Sequence, residues 1–314
     1  MKREMNSDPY DIIGIGVSTL DLLMIADEFP GAEGVQKAHN SLLQGGGPVA
    51  TALVTAARLG ARTAMIDYLG DDWRGRQILS EFKEYKVDID YIKVLPGKTS
   101  TVSSIVVRKR DGRRAIIFSP GTACDVPIDE LPRDAIETCK IIHMNGRHLG
   151  ASLAATKIAK NNGCKISFDG GAGRYRPALD EILSFSNYMI ASEEFCAEWL
   201  GKAEPEILAE KIVDRGAELA VVTMGDKGSL AKSSDGELKY QKAYHVEPIV
   251  DTTGCGDVYH GAFLYGLVSG FGLEETMEIA SAAAALKATK LGGRGLIADL
   301  ARLREFMAAT PLRG

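Results

Sequence analysis

Ile141-Ile142-His143-Met144, Lys165-Ile166-Ser167-Phe168, Tyr188-Met189-Ile190-Ala191 and Leu219-Ala220-Val221-Val222-Thr223 are four short apolar runs. Helical patterns over 151–161, 177–184, 193–200 and 205–215 lie between them. Strands that alternate with helices predict an α/β fold, a doubly wound, mostly parallel sheet flanked by helices. Ligands of such a sheet sit at the carboxyl ends of its strands. Upstream the same grammar holds. Ile12–Val17 reads as a buried strand running into a loop that carries Ser18, Thr19 and Asp21. A helix over 50–59 ends at Gly60, a strand covers 64–68, and Asp71-Asp72 open a helix that runs to about Tyr85, with both acids in its first turn.

Two segments break the alternation. Residues 99–107 and 114–118 are β-branched and joined through Asp111-Gly112, the pattern of a hairpin. With residues 35–43 they predict a small separate sheet. The expected division is a large α/β domain over 1–33, 45–97 and 120–314, with a β lid over 34–44 and 98–119. A second hairpin, 229–232 with 238–240, turns at Asp235-Gly236, and helices follow over 256–269, 274–289 and 300–308.

The 314 residues are 45% hydrophobic and 25% charged, with a formal net charge of −5. That balance opposes a nucleic-acid binder built on a basic surface. No apolar run approaches the roughly 20 residues that span a bilayer. The charged start MKREMNSDPY has no apolar stretch behind it, so a cytoplasmic location is expected. Five scattered cysteines without a CxxC pair predict free thiols. Gly14-x-Gly16 has Thr19 where a dinucleotide fingerprint needs its third glycine.

The segment richest in chemistry is Asp251-Thr252-Thr253-Gly254-Cys255-Gly256-Asp257, ahead of a helix. Two glycines allow a tight turn whose N–H groups converge, and the helix start adds its positive end. Such a turn binds an anion or a developing negative charge. A carboxylate at Asp257 then suits removal of a proton from a hydroxyl. A helix-capping acid would give the same local pattern.

DTTGCGD resembles the signature of the ribokinase-like (PfkB) carbohydrate kinases, where DTTGAGD is the usual form. Gly45-Gly46-Gly47-Pro48 with Ala56–Gly60, Leu69-Gly70-Asp71-Asp72 with Gly75, and Val222-Thr223-Met224-Gly225 with Gly228 resemble other stretches of that family in order and spacing. The resemblance implies an ATP-dependent transfer of the γ-phosphoryl group to a sugar hydroxyl. It assigns Asp257 as base and the N–H groups of Gly254, Cys255 and Gly256 as an anion hole. Asp21, Gly46 and Gly47 would meet the sugar, and Thr223, Gly225, Gly228 and Ser281 the nucleotide. Cys255 replaces the usual alanine, either passively or as a thiol activated by the helix N-terminus.

Two departures matter. The family's Asn after the glycines is replaced by Val49-Ala50, which removes a sugar contact. Its Asn-x-x-Glu magnesium motif falls at Ser192-Glu193-Glu194-Phe195, leaving Glu193 to reach Mg²⁺ through water. Asp251 and Thr253 match the loop that holds a monovalent cation such as K⁺ in several relatives. The nearest subgroup resemblance is to sulfofructose kinases, which share Gly-Gly-Gly-Pro and an ending like Leu286-Lys287 with Gly292-Gly293-Arg294. Arg147 matches their anion-binding arginine, while their companion Lys and Asn fall at Val35 and Phe118. Arg147 thus points to a phosphorylated, carboxylated or sulfonated sugar, or makes a surface ion pair. His143, His148 and His260 lack ligand spacing and suit packing or polar loops. A homodimer through the lid is expected, and a silent sugar- or nucleotide-binding regulator stands as the rival to a kinase.

Overall fold

The computed structural model describes residues 9–313. Residues 1–8 of the charged start, and of the expected 1–33 segment, lie outside this range, as does Gly314. The strands are β1 (Ile12–Ile15), β2 (Thr19–Ala26), β3 (Asn40–Gly46), β4 (Thr63–Gly70), β5 (Ile92–Leu95), β6 (Thr101–Arg108), β7 (Arg114–Ser119), β8 (Ile141–Met144), β9 (Lys165–Gly170), β10 (Tyr188–Ser192), β11 (Leu219–Thr223), β12 (Ser229–Ser233) and β13 (Leu238–Gln241). They form a nine-stranded sheet in the order β13-β12-β11-β10-β9-β8-β1-β4-β5 and a four-stranded sheet in the order β3-β2-β6-β7. In the large sheet β8 to β11, β1, β4 and β5 pair in parallel, and β12 and β13 add an antiparallel edge.

Runs such as Ile12-Ile13-Gly14-Ile15 are apolar throughout because both faces of this sheet are covered. Ile12 belongs to one core cluster with Leu53, Phe263 and Met277 of the helices Pro48–Leu59, Cys255–Val268 and Leu273–Ala288. Its neighbour Ile13 points the other way, into a layer with Ala155, Phe195 and Ile212. Each such fully buried side chain stabilises the fold by roughly 1.5–3 kcal/mol. Between strand and helix, polar caps set the boundaries. The Asp72 carboxylate accepts from the Gly75 N–H at 2.9 Å, so Asp72 caps the helix Trp73–Glu84 from outside, and no acid occupies its first turn.

One assignment needs correction. Residues 19–26, expected within the large domain and around Asp21 as a loop, are β2 and lie in the small sheet. There β2 pairs antiparallel with β3 and parallel with β6. The reason is the alternation through Asp21, Leu23 and Ile25, which shares one face with Ser103, Ile105 and Val107 of β6. Leu23, Ile105 and Val107 then make a small core of their own.

Candidate active site

The carboxyl ends of the parallel strands and the inner face of the small sheet enclose a cleft of about 890 Å³. Asp21, Arg147, Thr223, Gly254, Gly256 and Asp257 all line it. The helix Cys255–Val268 begins there, with Gly254 at its N-cap in a left-handed conformation, φ 75°. A Cβ at Gly254 would come within 2.7 Å of the Gly293 backbone, so only glycine lets these two loops meet. Asp257 lies in the first turn, beside N–H groups that the helix leaves without partners. The Cys255 N–H is turned toward the Thr252 carbonyl at 3.5 Å, and Cys255 does not line the cleft. The expected hole therefore centres on Gly254 and Gly256.

Burial and the charge of Asp169 raise the Asp257 carboxyl above its ordinary value, against the pull of Arg174, His260 and Arg114. Asp21 is also raised by burial, although Thr19 and Ser103 hydrogen-bond its carboxylate, Thr19 Oγ1 at 2.7 Å. A Cβ at Gly46 would sit 2.0 Å from Asp21 Oδ2, so the glycine makes the room that Asp21 occupies. Burial pushes the Cys255 thiol up, which favours the passive replacement of alanine over the activated thiol. Burial lowers both histidines, His143 to about 3 in the interior beneath the cleft and His260 to about 4 on the cleft wall, where its Nε2 stands 3.5 Å from Asp169 Oδ1.

The lid is tied to this turn. Thr252 donates through both N–H and Oγ1 to the Gly112 carbonyl at the hairpin tip, at 3.1 and 3.0 Å. Arg114 of β7 donates to Thr252 Oγ1 at 3.2 Å.

The other expected residues divide between the cleft and its surroundings. Gly47 and Gly225 line the cleft, but Gly228 lies against β13 and shapes the hairpin. Ser281 is buried with its hydroxyl toward the Lys242 carbonyl. Glu193 opens the helix Glu193–Leu200 without lining the cleft, whereas Ser192 does line it. Val35 is wholly exposed, and Phe118 lines the cleft.

Asp251 and Thr253 are expected to present oxygens to a monovalent cation. Instead Lys287 Nζ donates to the Asp251 carbonyl at 2.7 Å and stands 3.9 Å from its Oδ2, both residues without exposure. The two carboxylate oxygens of Asp251 accept from the Thr253 and Gly292 N–H groups at 2.7 and 2.8 Å. This donor set does not fit a bound K⁺, since an ammonium already faces the oxygens that the ion would use.

The sequence reading missed four groups of the cleft wall. Arg174 and Arg176 follow β9, as Arg147 and Asn145 follow β8, and Asp169 lies within β9 near its end. Arg176 donates to the Gly146 carbonyl at 2.8 Å, and Arg174 stands 3.6 Å from Asp169. Among the described residues the Arg147 guanidinium has no ion pair, and burial with the Arg174 and Arg176 charges lowers its pKa. Asn145, Asp169, Arg174 and Arg176 all stand at or just beyond the end of a parallel strand, where the strand-end rule would have found them. Asp169 Oδ2 is buried without a hydrogen-bond partner and borders the cleft. Such a carboxylate fits Mg²⁺, which takes one or two carboxylates and fills its shell with water and phosphate oxygens.

Comparison with known proteins adds a frame to this geometry. The pattern of the pfkB family carbohydrate kinases matches residues 11–299. A ribokinase of Lactococcus lactis is 27% identical, covering 92% of this chain and 94% of its own. An ATP-dependent 6-phosphofructokinase of Thermoanaerobacterium thermosaccharolyticum is 22% identical, covering 97% of this chain and 96% of its own. A structure of a putative Ribokinase II from E. coli in complex with ATP and Mg²⁺ superposes with a TM-score of 0.83 at 22% identity, covering 96% and 99% of the two chains. Among the described residues no helix is long and apolar enough to cross a membrane.

Proposed function

The chain belongs to the pfkB family of carbohydrate kinases, phosphotransferases to an alcohol group, and we propose that it uses Asp257 as general base on a sugar hydroxyl. The observation that carries this reading is the placement of Asp257 beside the Gly254 and Gly256 amides, on a cleft that Asp21 also lines. In the proposed step Asp257 takes the hydroxyl proton, the oxygen attacks the γ-phosphorus of ATP, and ADP leaves with the electrons of the broken bond. Turn amides at a helix N-terminus hold the transferred group where charge gathers. Asp21 accepts hydrogen bonds from other sugar hydroxyls. Thr223 and Gly225 border the nucleotide end, at the carboxyl end of β11. Mg²⁺ arriving with ATP would neutralise phosphate charge, and Asp169 is the residue that fits it. The lid over the cleft excludes water from the transfer.

Asp257→Asn tests the base. Its kcat is expected to fall at least about a hundredfold while ATP binding persists. A variant within a few-fold of the unsubstituted enzyme removes Asp257 from the mechanism.

A second reading concerns the acceptor. Arg147, Arg174 and Arg176 share one wall of the cleft, with Asp169 as the one carboxylate within ion-pair distance of any of them among the described residues. Three guanidinium groups favour an acceptor that is itself anionic, such as a phosphorylated or carboxylated sugar, through paired hydrogen bonds. The likeness to a 6-phosphofructokinase supports the phosphorylated form. For a sulfonated sugar, Arg174 and Arg176 would have to stand in for the Lys and Asn that Val35 and Phe118 replace.

A further inference from the structure

Asp251, Gly254 and Lys287 belong to one closed assembly. The loop 250–254 is pinned at its start by the Val250 and Asp251 N–H groups, which donate to the Ala288 carbonyl at 2.9 and 3.1 Å. Its middle is pinned by the Asp251 carboxylate on the Thr253 and Gly292 amides. Its end is closed by Gly254 against Gly293. In the centre stands Lys287 Nζ, 2.7 Å from the Asp251 carbonyl oxygen and 3.9 Å from Oδ2. Neither Lys287 nor Asp251 has any exposed surface.

A buried ammonium without a counter-charge is strongly disfavoured, so Lys287 and Asp251 require each other. A carbonyl oxygen and a carboxylate oxygen around one positive centre are also what a desolvated monovalent cation needs. We propose that the Lys287 ammonium is a built-in cation that positions the Gly254–Gly256 turn, and that the enzyme therefore neither binds nor requires K⁺ at this loop. The proposal rests on the reading that the turn holds the transferred phosphoryl group. Lys287 touches no substrate in this arrangement. It acts through Asp251 and the backbone of residues 251–254, as a positioning residue. A tethered cation is always present, whereas a free ion occupies its site only in proportion to its concentration.

The test compares the unsubstituted chain with Lys287→Met in chloride salts of K⁺, NH₄⁺, Na⁺ and tetramethylammonium at equal ionic strength. Thermal unfolding is one readout and ADP release with an accepted sugar is the other. For the unsubstituted chain, Tm and kcat are expected to agree across the four salts. For Lys287→Met, kcat is expected to drop roughly tenfold to hundredfold in tetramethylammonium, with KM for ATP much less changed. K⁺ or NH₄⁺ should then raise both Tm and kcat of the variant, because an ion that binds the folded state stabilises it. A lysine with only a packing role gives no such rescue. A several-fold activation of the unsubstituted enzyme by K⁺ over tetramethylammonium overturns the proposal, as does a Lys287→Met variant with unchanged kcat. If Lys287→Met does not fold, the salt comparison on the unsubstituted chain decides alone, agreement supporting and K⁺ activation overturning. If no sugar is phosphorylated at all, the kinase reading fails, while the Tm response to K⁺ still reports on Lys287.

Discussion

Arg294 Nη1 lies 3.2 Å from Glu81 Oε1 inside the protein, joining the loop 289–299, ahead of the helix Leu300–Ala309, to the helix Trp73–Glu84 beneath the lid. The same guanidinium donates to Thr51 Oγ1 and to the Gly46 carbonyl, each at 3.1 Å, and Glu81 accepts from the Gly45 N–H. Gly45 and Gly46, which lead into Gly47 on the cleft wall, are thus both held by one ion pair. Removing one partner strands the other charge in the interior. Arg294→Met is expected to destabilise the fold by about 3–5 kcal/mol. Urea unfolding measures it, and a loss below about 1 kcal/mol would show the pair to be dispensable.

With Asp257 as the proposed base, the pH dependence of kcat is expected to follow from the charges around it. A base must be ionised to act, and burial with the Asp169 charge raises its pKa, so the acid limb should lie above the ordinary carboxylate value of 3.8. Rate is lost as pH falls through that limb. Arg174 pulls the same pKa down. Arg174→Ala should therefore move the acid limb to higher pH, and Asp169→Asn should move it to lower pH. A limb that stays in place in both variants would mean that Asp257 does not set it.

Much of this was readable in advance, for physical reasons. Buried parallel strands such as Ile141–Met144 and Leu219–Thr223 are continuous apolar runs, and their predicted bounds coincide with the observed ones. Strand β2 was hidden because Thr19–Ala26 mixes a buried carboxylate, Asp21, with an exposed Leu22, which reads as a loop. The short edge strand Ile92–Leu95 has half its residues exposed and gives no apolar signal. At the site, the glycine turn and Asp257 are contiguous and therefore visible. Lys287 and Arg294 come into place only through tertiary contact, Arg294 with partners as far away in sequence as Gly46. Lone basic residues on a helix and a loop look like surface charges until the partner is known.

The outer face of the lid predicts self-association. Pairing sets Leu22 opposite Leu43 and opposite Ser104, and Ser104 opposite Ile117, so these side chains share the face turned from the cleft. Leu22, Leu43 and Ile117 are 39%, 42% and 79% exposed. A four-stranded sheet with one bare apolar face gains by covering it with a second copy. Sedimentation should give a dimer for the unsubstituted chain and a monomer for Ile117→Asp. A monomer in both cases, at concentrations well above those of the assay, would remove the lid as an interface.

The charge of the acceptor is tested on Arg147. It follows β8, at the carboxyl end of the sheet, and its guanidinium is free of ion pairs among the described residues while it lines the cleft. Arg174 and Arg176 crowd it with like charge, and Asp169 beside Arg174 offsets only one of the three guanidinium charges. A phosphate or carboxylate on the sugar would relieve that repulsion, so binding energy should come from the anion as well as from the hydroxyls proposed to meet Asp21. With ATP, a phosphorylated or acidic sugar is then expected to be turned over at a lower KM than its neutral parent. A charge-assisted contact is worth about 1.5–3 kcal/mol, so Arg147→Ala should raise that KM roughly tenfold to hundredfold. The KM for the neutral sugar should shift far less. Equal and small shifts for both sugars would assign Arg147 to the fold of its loop and make the acceptor neutral. A large shift confined to ATP would instead place these arginines on the nucleotide phosphates.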